Sequence, residues 1–286
     1  MTQSTMIQSN IIQSTMTQSN MTESGYPNLR LEIREHTALI TLYNPPAHTW
    51  TLASLAGLTR LLADLARQTG VRALVITGDG PKFFSAGADL KLFAGDDKAQ
   101  VQGMAQNMAQ QFGQAFEALS AFRGVSIAAI NGFAMGGGLE CALACDIRIA
   151  ESHAQLALPE ASVGLLPCAG GTQNLARLVG EGWAKRMILC GERVTAEQAL
   201  AIGLVEQVVP QGQSLATALA LADQAGRQSP DSVAACKTLI QGARSVPAQY
   251  LLPQERERFV SLFDGVNQQE GVQAFLQKRP ARWQHA

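Results

Sequence analysis

Short apolar runs alternate with helically spaced apolar residues over the first half of the chain. The β-branched segment Val71–Thr77 and the segment Val125–Ile130 predict strands. Leucines from Leu52 to Leu65 recur at three- and four-residue steps, which predicts an amphipathic helix. Further strands are predicted at Leu31–Arg34, Ala38–Leu42 and Asp146–Ala150, and a helix at Leu139–Cys145. This alternation favours an α/β core with mostly parallel strands.

The pattern becomes helical beyond Gly170. Thr195 and Gln198 have the spacing of a capping box before a helix at Ala196–Ile202, which Gly203 would end. A short strand is predicted at Leu204–Val209. Helices are then predicted at Ser214–Gln228, Asp231–Arg244, Leu252–Phe263 and Asn267–Lys278. We therefore divide the folded chain into a core at residues 25–210 and a helical region at 211–286.

Residues 1–24 differ in composition from the remainder. A Gln-Ser pair recurs every five residues from Gln3 to Ser19, and Glu23 is the one charged side chain. The segment lacks the positive start and compact apolar run of a signal peptide, and it contains no arginine. We expect a disordered, low-complexity tail.

Charge and cysteine content narrow the functional classes. The 286 residues include 22 basic and 23 acidic side chains. This balance argues against a protein that coats nucleic acid or binds membrane surfaces through a polybasic patch, so we expect neither partner. The five cysteines are odd in number and lie in apolar segments, which disfavours a disulfide framework and predicts a cytoplasmic location.

The segment Val125–Cys145 is the strongest candidate for chemistry, and Glu140 is its one charge. Its length would suffice for a membrane span, but four glycines, Asn131 and Glu140 interrupt it. A glutamate simply paired in the core is a second alternative. Three consecutive glycines, Gly136–Gly138, stand where a strand passes into a helix. Backbone N–H groups at a helix N-terminus can hold a developing oxyanion, and Glu140 would lie beside them.

Two other segments offer weaker signals. Phe83–Lys91, FFSAGADLK, follows a predicted strand with small residues and accessible amides, although ordinary turn chemistry also explains it. Leu156–Gly171 places Glu160 among apolar and glycine residues, although a surface carboxylate is a common alternative. The pattern HExxH, the serine-nucleophile pattern GxSxG and the phosphate- and dinucleotide-binding glycine loops are absent from the sequence.

Together these segments resemble the enoyl-CoA hydratase/isomerase (crotonase) family. The resemblance rests on FFSAGADLK, NGFAMGGGLECALACDIRIA and LPEASVGLLPCAGGTQNLARLVG, and it extends from about Leu29 to Trp283. It implies a spiral of ββα units with a helical C-terminal part that serves oligomerisation, as a homotrimer or homohexamer. It also implies an enoyl-CoA hydratase acting on an acyl-CoA thioester, without a metal or a separate cofactor, since CoA is part of the substrate.

The resemblance assigns roles by motif position. The oxyanion amides would be those of Ala88 and Gly137, and the catalytic carboxylates those of Glu140 and Glu160. Cys168 stands where many hydratases have a glycine whose N–H helps to hold water. The residues implied to contact CoA are Ala86, Asp89, Leu90 and Lys91, with Phe275 and Lys278 reaching the site of a neighbouring subunit.

Some sequence features leave the activity open. The segment NPPAHTWTLAS departs from the Asn-containing form usual in the family, and His48, Trp50 and Thr51 become candidates for shaping the CoA or acyl pocket. An enoyl-CoA delta isomerase needs the same oxyanion hole and can use one carboxylate. A non-catalytic acyl-CoA-binding or RNA-binding relative is a further alternative, against which the two glutamates and the neutral charge argue. A serine hydrolase is the weakest alternative.

Overall fold

A computed structural model describes residues 25–284, and the tail predicted at residues 1–24 lies outside the described residues. Within residues 25–284, ten strands form two sheets. The larger sheet has six strands in the order β1 (Leu29–Arg34), β2 (Thr37–Leu42), β3 (Ala73–Gly78), β5 (Val125–Ile130), β7 (Ile147–Glu151) and β10 (Gln207–Val209). The smaller sheet has four strands in the order β4 (Phe83–Ser85), β6 (Phe133–Met135), β8 (Gln155–Ala157) and β9 (Val194–Thr195).

The chain passes between the two sheets as a spiral. Strands β3, β5 and β7 of the larger sheet are followed directly by β4, β6 and β8 of the smaller one, and these pair in parallel within each sheet. The exceptions are β1 against β2 and β8 against β9, which are antiparallel. Each of these three strand pairs is followed by an α-helix, so the repeating unit is ββα, as the resemblance implied.

Helices complete the spiral and form the C-terminal part. Within the described residues, the α-helices are α1 (Leu52–Ala66), α2 (Lys98–Ser120), α3 (Gly137–Ala144), α4 (Gly171–Leu189), α5 (Ala196–Ala201), α6 (Ser214–Gly226), α7 (Pro230–Gly242), α8 (Ala248–Ser261) and α9 (Val266–Leu276). Helix α4 is interrupted at Gly180, whose φ of 75° is not helical. Short 3₁₀ helices occupy Leu90–Phe93, Glu160–Val163 and Leu262–Asp264.

Both faces of the larger sheet are buried, which explains why its central strands are continuous apolar runs. On one face, Leu74 and Ile76 of β3 join the main core with α1 and α2. On the other face, Val75 of the same strand and Ile127 of β5 pack under α6. Because successive strand residues point to opposite faces, only an uninterrupted apolar run can fill both cores.

The structure confirms the strands predicted for the larger sheet and most of the predicted helices. Missing from the prediction were helix α2 and the whole smaller sheet. Most strands of that sheet have three residues, too few to display an alternating pattern. Helix α2 begins with a polar, glutamine-rich half, and its buried residues are concentrated from Met108 to Leu119.

A lysine on α7 is one of the residues that attach the C-terminal helices to the core. Lys237 of α7 donates to the carbonyl oxygens of Phe122 and Gly124, at 2.7 and 3.0 Å, and pairs with Asp146 at 2.7 Å. Helices α8 and α9, with the 3₁₀ helix between them, expose the large apolar side chains Phe259, Phe263, Phe275 and Leu276. Among residues 25–284, no helix combines the length and the apolar character that crossing a bilayer requires.

A buried asparagine joins the two sheets where the chain leaves β3. The amide of Asn131, which is 6% exposed, donates to the carbonyl oxygens of Gly78 and Phe83 at 3.0 and 3.1 Å. Its side-chain oxygen accepts the N–H of Gly78 at 3.0 Å. These contacts fix the turn that precedes β4 and therefore the position of the segment that follows β4.

Replacing this asparagine is predicted to destabilise the protein. Asn131→Ala leaves several buried backbone groups without partners, each at a cost of about 1–3 kcal/mol. Urea unfolding followed by circular dichroism should show a lower free energy of unfolding. The control Asn107→Ala removes an exposed asparagine from α2 and should leave it within about 0.5 kcal/mol of wild type. Equal stability of both variants would contradict the role given to Asn131.

Candidate active site

The turn from β6 into α3 exposes backbone amides. Gly136 precedes the helix with φ 53°, a conformation that favours glycine, and its N–H donates to Ala157 O at 3.0 Å. Gly137 is the first residue of α3, so its N–H has no acceptor within the helix. A Cβ on Gly138 would lie 2.2 Å from Ser85 O, so only glycine lets α3 pack this closely on β4.

The segment after β4 presents a second amide. The hydroxyl of Ser85 donates to His48 O at 2.7 Å and accepts the N–H of Gly87 at 3.2 Å. Ala88 forms a parallel bridge with Trp50, in which Gly87 O accepts from Trp50 N–H and Asp89 N–H donates to Trp50 O. This bridge uses the groups on either side of the Ala88 N–H and leaves that N–H outside the pairing.

The two amide-bearing segments touch through backbone alone. Gly87 has φ 91°, and a Cβ there would lie 2.7 Å from Met135 O and 3.1 Å from the nitrogen of Gly137. A side chain at position 87 would therefore push the segments apart. The approach places Ala88, next to Gly87, close to the first residue of α3, Gly137.

Glu140 is buried in the first turn of α3. Its side chain is 2% exposed, and Oε1 accepts the N–H groups of Ala169 and Gly171 at 2.7 and 2.9 Å. Burial raises the pKa of Glu140, and the two backbone N–H donors oppose that rise because they favour the carboxylate. The carboxyl is thus held in one orientation by α4 and the residues before it.

Glu160 opens a 3₁₀ helix on the facing side. Its Oε1 lies 3.2 Å from the position of a Cβ on Gly136, which places the carboxyl over the turn that leads into α3. Its Oε2 is buried and lacks a hydrogen-bond partner within residues 25–284. Burial, followed by the charge of Glu140, raises the pKa of Glu160 to about 7, although its own backbone N–H opposes the rise.

Cys168 lies beside both carboxyls. The residue as a whole is exposed, but partial burial of its thiol, followed by the charges of Glu140 and Glu160, raises the pKa of Cys168 to about 11. The donors to Glu140 come from Ala169 and Gly171 rather than from Cys168. A water-holding role for Cys168 stays a prediction.

The residues implied to contact CoA fall into two groups. Ala86 and Asp89 are half-buried, and Asp89 caps the following 3₁₀ helix by accepting the Lys91 N–H at 3.1 Å. Leu90 and Lys91 are exposed beside them. Phe275 and Lys278 lie far along the chain, at the exposed end of α9 and just beyond it. Contact of these two with a neighbouring subunit stays a prediction.

Of the three residues considered for shaping the CoA or acyl pocket, His48 uses both ring nitrogens in contacts within the protein. Its Nδ1 accepts the N–H of Asn44 at 3.2 Å, and its Nε2 lies 2.8 Å from Asp79 O. Thr51 caps α1 through a capping box with Ser54. Ser85 was not singled out from the sequence, although it stands inside FFSAGADLK; its hydroxyl occupies the Gly87 amide. The one sequence signal for Ser85 was its place in the run of small residues before the 3₁₀ helix at Leu90–Phe93.

The chain is similar to known proteins over most of its length. The model of the enoyl-CoA hydratase/isomerase family matches residues 32–286. The 2,3-dehydroadipyl-CoA hydratase of Escherichia coli is 40% identical over 247 residues, covering 86% of this chain and 94% of that protein. The short-chain-enoyl-CoA hydratase of Clostridium acetobutylicum is 34% identical, covering 88% and 95%.

The fold is also similar to solved structures over most of the chain. Pseudomonas aeruginosa DspI superposes with a TM-score of 0.87 at 62% identity, covering 92% of this chain and 100% of that one. The enoyl-CoA hydratase of Bacillus anthracis superposes with a TM-score of 0.84 at 35% identity, covering 90% and 98%. This chain belongs to the enoyl-CoA hydratase/isomerase family and has the crotonase fold, whose members act on acyl-CoA thioesters.

The buried carboxyl of Glu160 predicts a pH-dependent stability. Its pKa is raised from 4.5 to about 7 in the folded state, so the folded protein binds this proton more tightly than the unfolded chain. The free energy of unfolding should therefore decrease as the pH rises from below 4.5 through about 7. Glu160→Gln cannot titrate and should weaken this dependence in urea unfolding measured across that range. An unchanged slope in the variant would contradict the raised pKa.

Proposed function

We propose that the protein is an enoyl-CoA hydratase, which adds water reversibly to a trans-2-enoyl-CoA and gives a 3-hydroxyacyl-CoA. The observation that supports this most directly is the pair of glutamates beside two available amides. An oxyanion hole alone serves many reactions of thioesters. Glu140 is held by two N–H donors, and Glu160 has one oxygen without a partner in the described part of the chain. Two such carboxyls close together could bind and activate one water molecule.

The amides of Ala88 and Gly137 would accept the thioester oxygen. As the oxygen of water bonds to C3, the electrons of the double bond move toward the thioester and an enolate forms. Donors placed for that developing charge lower the barrier, and losing one typically costs about 3–4 kcal/mol. The N-terminus of α3 adds its positive end at the same point.

The glutamates would move the protons. Glu140, oriented by its two donors, takes a proton from the attacking water, and Glu160 gives a proton to C2 as the enolate collapses. The assignment follows the environments, because the carboxyl with a pKa of about 7 can carry a proton near neutral pH. The carboxyls interact electrostatically, so they titrate as a pair and can share these duties.

The remaining site residues would serve binding. Lys91 is exposed beside the amide of Ala88 and suits the anionic phosphates of CoA, with Ala86, Asp89 and Leu90 along the same segment. The exposed apolar surface of α8 and α9 supports a homotrimer or homohexamer in which Phe275 and Lys278 complete a neighbouring site. We place the enzyme in the cytoplasm and assign it no metal or separate cofactor.

Neutralising either glutamate is predicted to stop hydration. Glu140→Gln and Glu160→Gln should each lower kcat for crotonyl-CoA by about 10²–10⁴-fold, because each removes one proton transfer. Binding of a saturated acyl-CoA should stay within a few-fold of wild type. The control Glu181→Gln removes an exposed carboxylate on α4 and should leave kcat unchanged. Near-normal turnover in either site variant would refute its assigned role.

The pH profile is predicted to follow the proton on Glu160. Since the donor must be protonated, kcat/KM for hydration should fall as the pH rises above about 7. The residual activity of Glu160→Gln should lack this descending limb, which separates titration of Glu160 from that of the substrate. Retention of the limb in the variant would assign it to another group.

Product analysis in H₂¹⁸O separates hydration from double-bond migration. A hydratase incorporates the label at C3 of the product, whereas an isomerase converts a 3-enoyl to a 2-enoyl ester without incorporating oxygen. Conversion of a 3-enoyl-CoA without label, together with no hydration of crotonyl-CoA, would replace the proposal with the isomerase.

A further inference from the structure

One aromatic residue contacts both segments that carry the proposed oxyanion amides, one through its backbone and the other through its ring. Trp50 lies immediately before the N-cap of α1 and is 2% exposed. Its backbone N–H donates to Gly87 O at 2.8 Å, and its backbone carbonyl accepts from Asp89 N–H at 3.2 Å. The residue between those two partners is Ala88, so the main chain of Trp50 fixes the peptide that presents the first amide.

The ring of Trp50 lies beside Gly137, the residue that carries the second amide. Its Cδ1 lies 3.7 Å from the position that a Cβ on Gly137 would occupy, and Phe112 Cζ lies 2.8 Å from the same position. Phe116 stacks edge-on against Trp50 with ring centroids 5.5 Å apart, and against Phe112 at 5.4 Å. These three rings, which we term the aromatic wedge, fill the space behind the first residue of α3.

The indole N–H of Trp50 makes no hydrogen bond. Its Nε1 is buried and has no hydrogen-bond partner within the described part of the chain. A buried indole N–H normally finds an acceptor, and leaving it without one costs free energy of folding. A phenyl ring would avoid that cost. Stability alone therefore does not explain a tryptophan here, whereas the size and shape of the indole beside Gly137 do.

We propose that Trp50 is a positioning residue that sets the separation of the Ala88 and Gly137 amides, its backbone fixing one and its ring supporting the other. This inference rests on the proposed function, since it assigns both amides to a single oxygen. A shorter ring would let the start of α3 settle inward, and the two donors would no longer converge on one enolate oxygen. A misplacement of about 1 Å can cost about 10²-fold in rate.

The test compares Trp50→Phe with wild type in two measurements. The first is the near-ultraviolet absorbance of the enolate of bound acetoacetyl-CoA, a ligand that ionises more readily when its thioester oxygen is held by donors. The second is the kinetics of crotonyl-CoA hydration. We expect a weaker enolate signal and a kcat lowered about 10- to 100-fold, with KM changed less than about threefold. Phe112→Leu thins the same aromatic wedge from α2 and should move both readouts in the same direction.

A matched control separates positioning from stability. Leu65→Ala removes a buried side chain near the opposite end of α1, about 20 Å along the helix, and should lower the free energy of unfolding by about 2–5 kcal/mol. Its folded fraction should keep the wild-type enolate signal and kcat, while Trp50→Phe unfolds near the wild-type urea midpoint.

Two results would overturn the inference. One is a wild-type enolate signal and kcat in both Trp50→Phe and Phe112→Leu, and the other is an equal loss in Leu65→Ala. A wild-type protein that neither ionises acetoacetyl-CoA nor hydrates crotonyl-CoA is a different failure, because it refutes the proposed function itself.

Discussion

The site depends on a contact between two stretches of backbone. Gly87 lies so close to the end of β6 that a single methyl group would meet Met135 O at 2.7 Å. The spiral makes this approach possible, because β4 and β6 pair in parallel and deliver their following segments to the same edge of the smaller sheet. The N–H groups of Ala88 and Gly137, which are not used in strand or helix hydrogen bonds within residues 25–284, thereby lie near each other. No charged side chain is needed to create the positive potential there.

The fold places the carboxyls of Glu140 and Glu160 in different hydrogen-bonding environments. Glu140 is almost fully buried yet accepts two backbone N–H groups, so its orientation is determined by the protein. Glu160 is less buried, and one of its oxygens has no partner in the described part of the chain. Burial raises the pKa of both, and only Glu140 is compensated by donors from other residues. This asymmetry gives two identical side chains different chemistry.

Sequence patterns predicted the parts of the molecule whose burial is regular. The larger sheet was predictable because both its faces are covered, and α1 because its leucines keep helical spacing. The smaller sheet was not, since short strands held by neighbouring backbone leave little trace in side-chain type. The glycine turn with Glu140 was a candidate from the sequence itself, and Glu160 was a weaker one. The resemblance to a family added the specific amides, Ala88 and Gly137, and the catalytic role of both glutamates. The ring contact of Trp50 could not be predicted from the sequence, because its partner Phe116 lies on α2, which carries a weak apolar pattern.

The thiol of Cys168 has a chemical consequence for the proposed substrate. An enoyl thioester is a conjugate acceptor, and a thiolate beside its β-carbon would add to it and inactivate the enzyme by alkylation. Burial, followed by the charges of Glu140 and Glu160, raises the pKa of Cys168 to about 11, so its sulfur is protonated and weakly nucleophilic at neutral pH. This environment would limit both alkylation of the thiol by an enoyl thioester and its oxidation by peroxide.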